Sequence, residues 1–259
     1  MTMRLARINF PGSTAPLVAP VTDDGQGLDL GGRVVAIPDG GFAPAVTGWI
    51  YGPLLNESAT LDRFGPQLHD KPYVAPPTVP VLYFKPRNTH LGHGGRVRLP
   101  AYSERVELGA SIGMVFRRSI GRADPATALD AVGGYTIVLD LSVPNASVYR
   151  PPVQEKCFDG ACPVGPWVVD AARIGDPAKL VVKTYVNGSL VAERRFDDLV
   201  RSPSRLIADV TDFMTLAEGD VLTLGHPVGA VPTAGRGDSI RIEVDGLGAL
   251  DCTIEEGLA

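Results

Sequence analysis

The stretch GASIG, Gly109 to Gly113, matches G-x-S-x-G, a spacing that can hold a serine hydroxyl on a sharp strand-to-helix turn. Just upstream, LGHGG (91–95) has the look of an oxyanion-binding loop, and Asp140 and His226 follow in an order that would complete a triad. The neighbours of Ser111 argue against that chemistry. Residues 112–116, IGMVF, continue a β-like run into Arg117-Arg118 instead of opening a helix. The strand–helix alternation of an α/β-hydrolase sheet is also missing, and short motifs arise readily by chance. Ser111 therefore reads as a strand residue, not a nucleophile.

Other side chains can do chemistry. Asp140 lies in the apolar run YTIVLDLSV, where strand alternation puts Val138, Asp140 and Ser142 on one face and Leu139 and Leu141 on the other. A carboxylate buried there needs a partner, so it is either a structural acceptor or a site residue. Arg87 and Arg150 carry the guanidinium fork that suits substrate carboxylates. His90 and His93, in the loop after KPRN, are candidates for acid–base work near neutral pH or are solvated loop histidines. Cys157 and Cys162 are spaced C-x4-C with no second ligand pair, which fits packed thiols better than a zinc site.

The elements that must position these groups are mostly strands. Among 259 residues, 30 Gly and 23 Pro favour short strands and turns over a helix bundle. Runs at 81–84, 111–116, 135–143, 180–186, 220–224 and 239–244 are rich in β-branched or aromatic residues. Asn187-Gly188 predicts a two-residue hairpin. Helices are expected over NESATLDRF, capped by Asn56 or Ser58; over DPATALDAVGG, capped by Asp124; and over SPSRLIADVTDFMTL, with Leu206, Val210, Phe213 and Met214 on one face. The proline-rich stretch 71–80 predicts a boundary near residue 75, with a small β-rich domain and lid segment over 1–75 and a larger domain over 76–259.

A net charge of −5, with no run of Lys or Arg beyond two, excludes a nucleic-acid or anionic-membrane partner as the expectation. No apolar run approaches the ~20 residues of a membrane span. The N-terminus reads as too short and polar for a signal peptide, and three cysteines cannot all pair, so the expected location is the cytoplasm.

Several stretches in order, FKPRNT (84–89), DAVGGYTIVLDLSV (130–143), YRPPVQEKCFDGACPVGPWVV (149–169), LGHPVG (224–229) and GRGDSIRIEVDGLGAL (235–250), resemble the fumarylacetoacetate hydrolase superfamily over roughly residues 80–252. Within it, KPRNT, ELGAS and the 149–169 run resemble the N-terminal half of the bifunctional decarboxylase/isomerases of homoprotocatechuate (4-hydroxyphenylacetate) degradation. The resemblance implies a mainly β (α+β) fold: a mixed β-roll with a few helices after a small N-terminal domain. It also implies a site for a 2-oxo acid or its enol, with Mg²⁺ or another divalent cation as cofactor.

Family members hold Mg²⁺ with a Glu-x-Glu pair and an aspartate. Mapped by resemblance, the aspartate falls on Asp140, but Gly109 and Ser111 occupy the two glutamate positions, which puts the metal in doubt. Glu107, two residues before Gly109 on the same strand face, would restore one ligand through a small register shift. The family's N-x-x-x-H-x-x-E lid dyad maps onto Asn56, Thr60 and Arg63, so its His and Glu are absent too. Lys156 matches the lysine that lies over the substrate, with Asp159 either orienting it or shaping a turn. Asn88 belongs to the KPRN loop that, with Arg87 and Arg150, would bind substrate, and His226 replaces a threonine of the family and either touches substrate or fills the turn.

The implied activity is decarboxylation or isomerisation of a 2-oxo multi-carboxylate product of aromatic ring fission. The alternatives are a non-catalytic partner of a metal-bearing homologue and a hydrolase of fumarylacetoacetate-like diketones. A homodimer or higher homo-oligomer is expected, or a hetero-oligomer with a paralogous subunit.

Overall fold

The computed structural model describes residues 4–71, 74–145 and 152–256. In chain order its strands are β1 (Arg4–Ile8), β2 (Leu17–Pro20), β3 (Gly27–Asp29), β4 (Val34–Ala36), β5 (Ile50–Leu54), β6 (Val81–Lys85), β7 (His90–Leu91), β8 (Gly95–Val97) and β9 (Arg105–Phe116). There follow β10 (Val132–Ser142), β11 (Cys162–Asp170), β12 (Val182–Val186), β13 (Ser189–Arg194), β14 (Val221–Thr223), β15 (Thr233–Gly235), β16 (Ser239–Val244) and β17 (Gly248–Ile254). The helices are α1 (Ser58–Leu68), α2 (Val153–Lys156), α3 (Ala171–Ile174) and α4 (Pro203–Thr211).

One mixed sheet runs β2-β1-β11-β10-β9-β14-β5-β6, with β15 also on β9 and β7 also on β11. A second, of five strands, runs β13-β12-β16-β17-β8. The long antiparallel pair β9/β10 is the spine, in a register that sets Leu108 against Leu141, Gly109 against Asp140 and Ser111 against Val138. Period-two alternation sends Leu108, Ile112, Met114, Ile137, Leu139 and Leu141 into the main core. There they join Ile240, Ile242 and Val244 of β16 and Leu250 and Ile254 of β17 in the second sheet.

The hairpin at 187–188 forms as expected: Asn187 and Gly188 both have positive φ, at 50° and 78°, between paired β12 and β13. Helix α4 has Ser202 as its cap, accepting from the Arg205 amide, and buries Leu206 and Val210; Phe213, past its end, is exposed. Helix α1 starts after Glu57 with no side-chain cap, because Asn56 is spent elsewhere: its amide donates to the carbonyls of Arg201 and Leu224 and its oxygen accepts from the Arg201 amide.

Two expectations need correction. The helix over 124–134 is only a 3-10 turn at Ala128–Ala131, since the ladder partners of β10 draw residues 132–134 into the strand. The boundary near residue 75 does not divide the sheet. Strand β1 pairs with β11, and β5 lies between β14 and β6, so the first 54 residues supply three strands of the main sheet.

Candidate active site

The same alternation that fills the core leaves a second face on β9 and β10 where small and polar residues surround one apolar side chain, Val138: Glu107, Gly109, Ser111 and Gly113 beside Thr136, Asp140 and Ser142. Three elements converge on Asp140 from there. Strand β6 alternates so that Tyr83 and Lys85 are its buried residues. The last residue of α2 is Lys156, and the loop after β14 carries His226.

Asp140 is 2 % exposed and every partner is a cation or a donor. Lys85 pairs with Oδ1, the Lys156 ammonium is 2.6 Å from Oδ2, and His226 Nε2 is 2.9 Å from the same oxygen. Lys85, 0 % exposed, also donates to the carbonyls of Leu141 (2.8 Å), Lys156 (2.6 Å) and Ala161 (3.2 Å), tying β10, α2 and the residue just before β11 together. Lys156 donates a second bond to Ser142 Oγ at 2.7 Å and its ammonium stands 4.3 Å from the Tyr83 ring centroid. Burial alone would raise the Asp140 pKa; the charges of Lys156 and Lys85 and the His226 bond outweigh it and hold the carboxyl well below its usual range. Burial pulls the Lys85 ammonium below the ordinary lysine range, opposed by Asp140.

Two glycines make room for this packing. A Cβ on Gly52 would lie 2.1–2.4 Å from the Cζ, hydroxyl and Cε1 atoms of Tyr83, and one on Gly109 would lie 2.5–2.7 Å from three atoms of the His226 imidazole. The cluster opens onto a pocket of about 100 Å³ lined by Leu54, Glu107, Ser142, Glu155, Lys156 and His226 among others. Leu54 and Val228 are shared with an apolar chamber of about 160 Å³ under α1, whose wall includes Phe64, Leu68 and Val81.

The model of the fumarylacetoacetate (FAA) hydrolase C-terminal family matches residues 50–255. The chain belongs to the fumarylacetoacetate hydrolase family. It is 33% identical over 204 residues to the 4-hydroxyphenylacetate degradation bifunctional isomerase/decarboxylase of Salmonella dublin, and 30% identical to the homoprotocatechuate catabolism bifunctional isomerase/decarboxylase of Escherichia coli, also over 204 residues. Each match covers 79% of this chain and 46% of the relative, so the chain spans about half the length of these relatives. The 2-hydroxyhepta-2,4-diene-1,7-dioate isomerase of Mycobacterium marinum has the same fold, with a TM-score of 0.79 at 24% identity over 99% of this chain and 100% of that one.

Against that family, the donor set does not fit Mg²⁺, which asks for several hard oxygens in octahedral order. Both oxygens of Asp140 are committed to Lys85, Lys156 and His226. Position 109 has no side chain, and the Ser111 hydroxyl is spent as a donor to the Gly225 carbonyl at 2.7 Å. Among the described residues no three His, Cys, Asp or Glu side chains group as a metal site. Glu107 lines the pocket, in register with Ser142 and not with Asp140.

Of the other candidate residues, Asn88 donates to Asp159 Oδ1 at 2.8 Å and to the Cys157 carbonyl, so Asp159 braces the KPRN loop and has no bond to Lys156. His90 lies behind the cluster, its Nε2 3.2 Å from the Lys85 carbonyl; burial lowers its pKa, and the Arg87 and Lys85 charges add to that. His93 lines a separate cavity with Asp251, Arg241 and Trp167, and its Nδ1 accepts from the Asp251 amide. Neither histidine lines the Lys156 pocket, so the suggested replacement of the missing dyad by His90 or His93 finds no geometric support. Arg87 is exposed, and Arg150 falls outside the described residues. Thr60, at the family's histidine position, donates to Glu57 at 3.0 Å, and Glu57 pairs with Arg194.

Lys85 escapes a reading of FKPRNT that attends to its arginine and asparagine. Its signal was the alternation of VLYFK, which sets Tyr83 and Lys85 on one face.

Proposed function

We propose that the protein decarboxylates or isomerises a 2-oxo carboxylic acid produced by aromatic ring fission, the activity class named in its relatives. The observation that carries this reading is Lys156 at the wall of the pocket. Its ammonium is held by Asp140 and Ser142 and its side chain reaches the pocket wall, where a substrate oxygen can meet it. When a carboxylate leaves as CO₂, or a proton is lost, from a carbon conjugated to the 2-oxo group, the electron pair moves to the oxo oxygen. The ammonium of Lys156 stabilises the resulting dienolate, and a proton returned to carbon completes the reaction. Glu107 and Glu155 line the pocket beside it, in place to exchange that proton. The carbon chain of the substrate runs past Leu54 and Val228 toward the apolar chamber.

A second reading, a non-catalytic partner subunit, is favoured by one observation, the absence of carboxylates at 109 and 111. The hydrolase alternative lacks its acid–base pair, since Thr60 and Arg63 stand at those positions. The test is CO₂ release and loss of the enol chromophore with 5-oxopent-3-ene-1,2,5-tricarboxylate and with 2-hydroxyhepta-2,4-diene-1,7-dioate, for the chain alone and mixed with a metal-bearing homologue. Turnover by the chain alone supports catalysis. No turnover alone, with stimulation of the homologue on mixing, establishes the partner reading.

A further inference from the structure

We propose that this site works without a divalent metal and that His226, seated over Gly109, is the residue that makes it so. The proposal deepens the reading of the pocket as a 2-oxo-acid site and rests on it. Both positions at which relatives of this fold would place a glutamate are used here to seat the histidine. Gly109, directly across the ladder from Asp140, supplies the space: a Cβ there would meet His226 Nε2, Cδ2 and Cε1 at 2.5, 2.6 and 2.7 Å. A carboxylate side chain at 109 and the imidazole exclude one another.

Ser111 supplies the anchor. Its hydroxyl donates to the carbonyl of Gly225, the residue before His226, at 2.7 Å. Arg194 Nη1 donates to the same carbonyl at 2.8 Å, so the loop is held from two sides. His226 then reaches Asp140 Oδ2 through Nε2 at 2.9 Å and the Pro227 carbonyl through Nδ1 at 3.0 Å. Both ring nitrogens face oxygen atoms, so the imidazole is fixed in place between its own loop and Asp140.

Charge completes the case. The two lysines, Lys85 and Lys156, face the single carboxylate of Asp140, so side-chain cations outnumber anions in the cluster. A 2-oxo-acid anion entering the pocket meets a cation built from side chains where a bound metal would otherwise supply it. Lys156 is the member that faces the pocket, while Lys85, fully buried, acts only through Asp140 and the backbone.

The first test is Mn²⁺ and Mg²⁺ titration of the EDTA-stripped chain, by calorimetry and by the Mn²⁺ electron spin resonance signal, with pyruvate as the probe anion in parallel. The expected result is no stoichiometric metal binding below millimolar concentration and a pyruvate Kd within twofold in EDTA and in Mg²⁺. One-to-one metal binding at micromolar Kd, or a tenfold loss of pyruvate affinity in EDTA, overturns the proposal. Absence of pyruvate binding in both buffers counts against the 2-oxo-acid reading, and the metal titration then judges metal independence by itself.

The second test is steric. Gly109→Ala lowers the melting temperature of the natural chain and costs much less in a His226→Ala background. Equal losses in the two backgrounds would mean that His226 is not seated over Gly109. The variant Gly109→Glu/Ser111→Glu/His226→Thr is expected to gain Mn²⁺ affinity at least tenfold. A folded triple variant with no gain overturns the assignment of these three positions, and if it does not fold the Gly109→Ala comparison decides.

Discussion

Lys85 and Asp140 form an ion pair in which both side chains are essentially sealed from solvent, and the ammonium is shared with the backbone carbonyls of Leu141 in β10, Lys156 in α2 and Ala161 just before β11. Removing the cation would leave a buried carboxylate one partner short and take a donor from three carbonyls together. Lys85→Met should therefore destabilise the fold by about 3–5 kcal/mol, the range for breaking one side of a buried pair. Urea denaturation of the variant checks this, and a change under 1 kcal/mol would mean that Lys156 and His226 already suffice for Asp140.

How much of this was legible beforehand can be judged from particular residues. Asp140, Lys156 and His226 stand out in the sequence because each sits at a motif position, and the structure brings all three within one cluster. The face of β10 follows from alternation alone, and so does the hairpin at Asn187-Gly188. Long-range pairing is less accessible. That β1 and β5 join the main sheet depends on partners β11 and β14, more than a hundred residues away in sequence, which local composition cannot report. The same limit explains His90 and His93: their type suits acid–base work, but the ladder between β7 and β11 sets His90 behind Lys85.

Lys156 is exposed by 12 % at its side chain, enough to meet a ligand, and its loss removes one donor to the dienolate. Lys156→Met should lower kcat about 10²–10³-fold, the usual effect of deleting one such donor. Lys156→Arg, which keeps the charge but not the compact ammonium, should recover only part of it. The proposal for this residue fails if Lys156→Met keeps kcat within twofold while circular dichroism shows an unchanged fold.

Asp140 links the site to acid stability. Its native pKa is depressed, so the carboxylate contributes stability above the unfolded value of about 3.9, and that contribution is lost as pH falls through the native value. The natural chain should lose stability steeply below about pH 4. Asp140→Asn should be less stable at pH 7, with the gap between the two proteins narrowing in acid. Denaturation curves at pH 7, 4 and 3 measure this; a gap independent of pH would show that Asp140 is not depressed.

Cys157 and Cys162 report on burial around the same cluster, with Cys252 in β17 as a buried thiol of the second sheet. Cys162 and Cys252 are buried, and burial pushes both pKa values up to about 12. Cys157 is half-buried, its pKa raised less, and its thiol stands 3.7 Å from the Phe84 carbonyl. A thiolate is the reactive species, so the native protein at pH 8 should alkylate at one site, Cys157, with the other two reacting only after unfolding. Mass mapping after iodoacetamide treatment reads this directly, and modification of Cys162 in the folded protein would mean that the site opens beneath Lys85.

Leu54 and Val228 form the neck between the polar pocket and the apolar chamber, so bulk placed there should act on the substrate's chain and spare its head group. Val228→Trp fills part of the neck with a side chain far larger than the one it replaces. Binding of pyruvate, which needs only the Lys156 end, should stay within twofold, whereas a seven-carbon 2-oxo acid should lose about tenfold in kcat/KM, or about 1.4 kcal/mol of transition-state binding. That loss is expected mainly in KM, because the neck is remote from the bond that breaks and contributes the same binding to ground state and transition state. Equal effects on both acids would place the substrate chain elsewhere, and a fall in kcat with KM unchanged would put Val228 beside the reacting carbon.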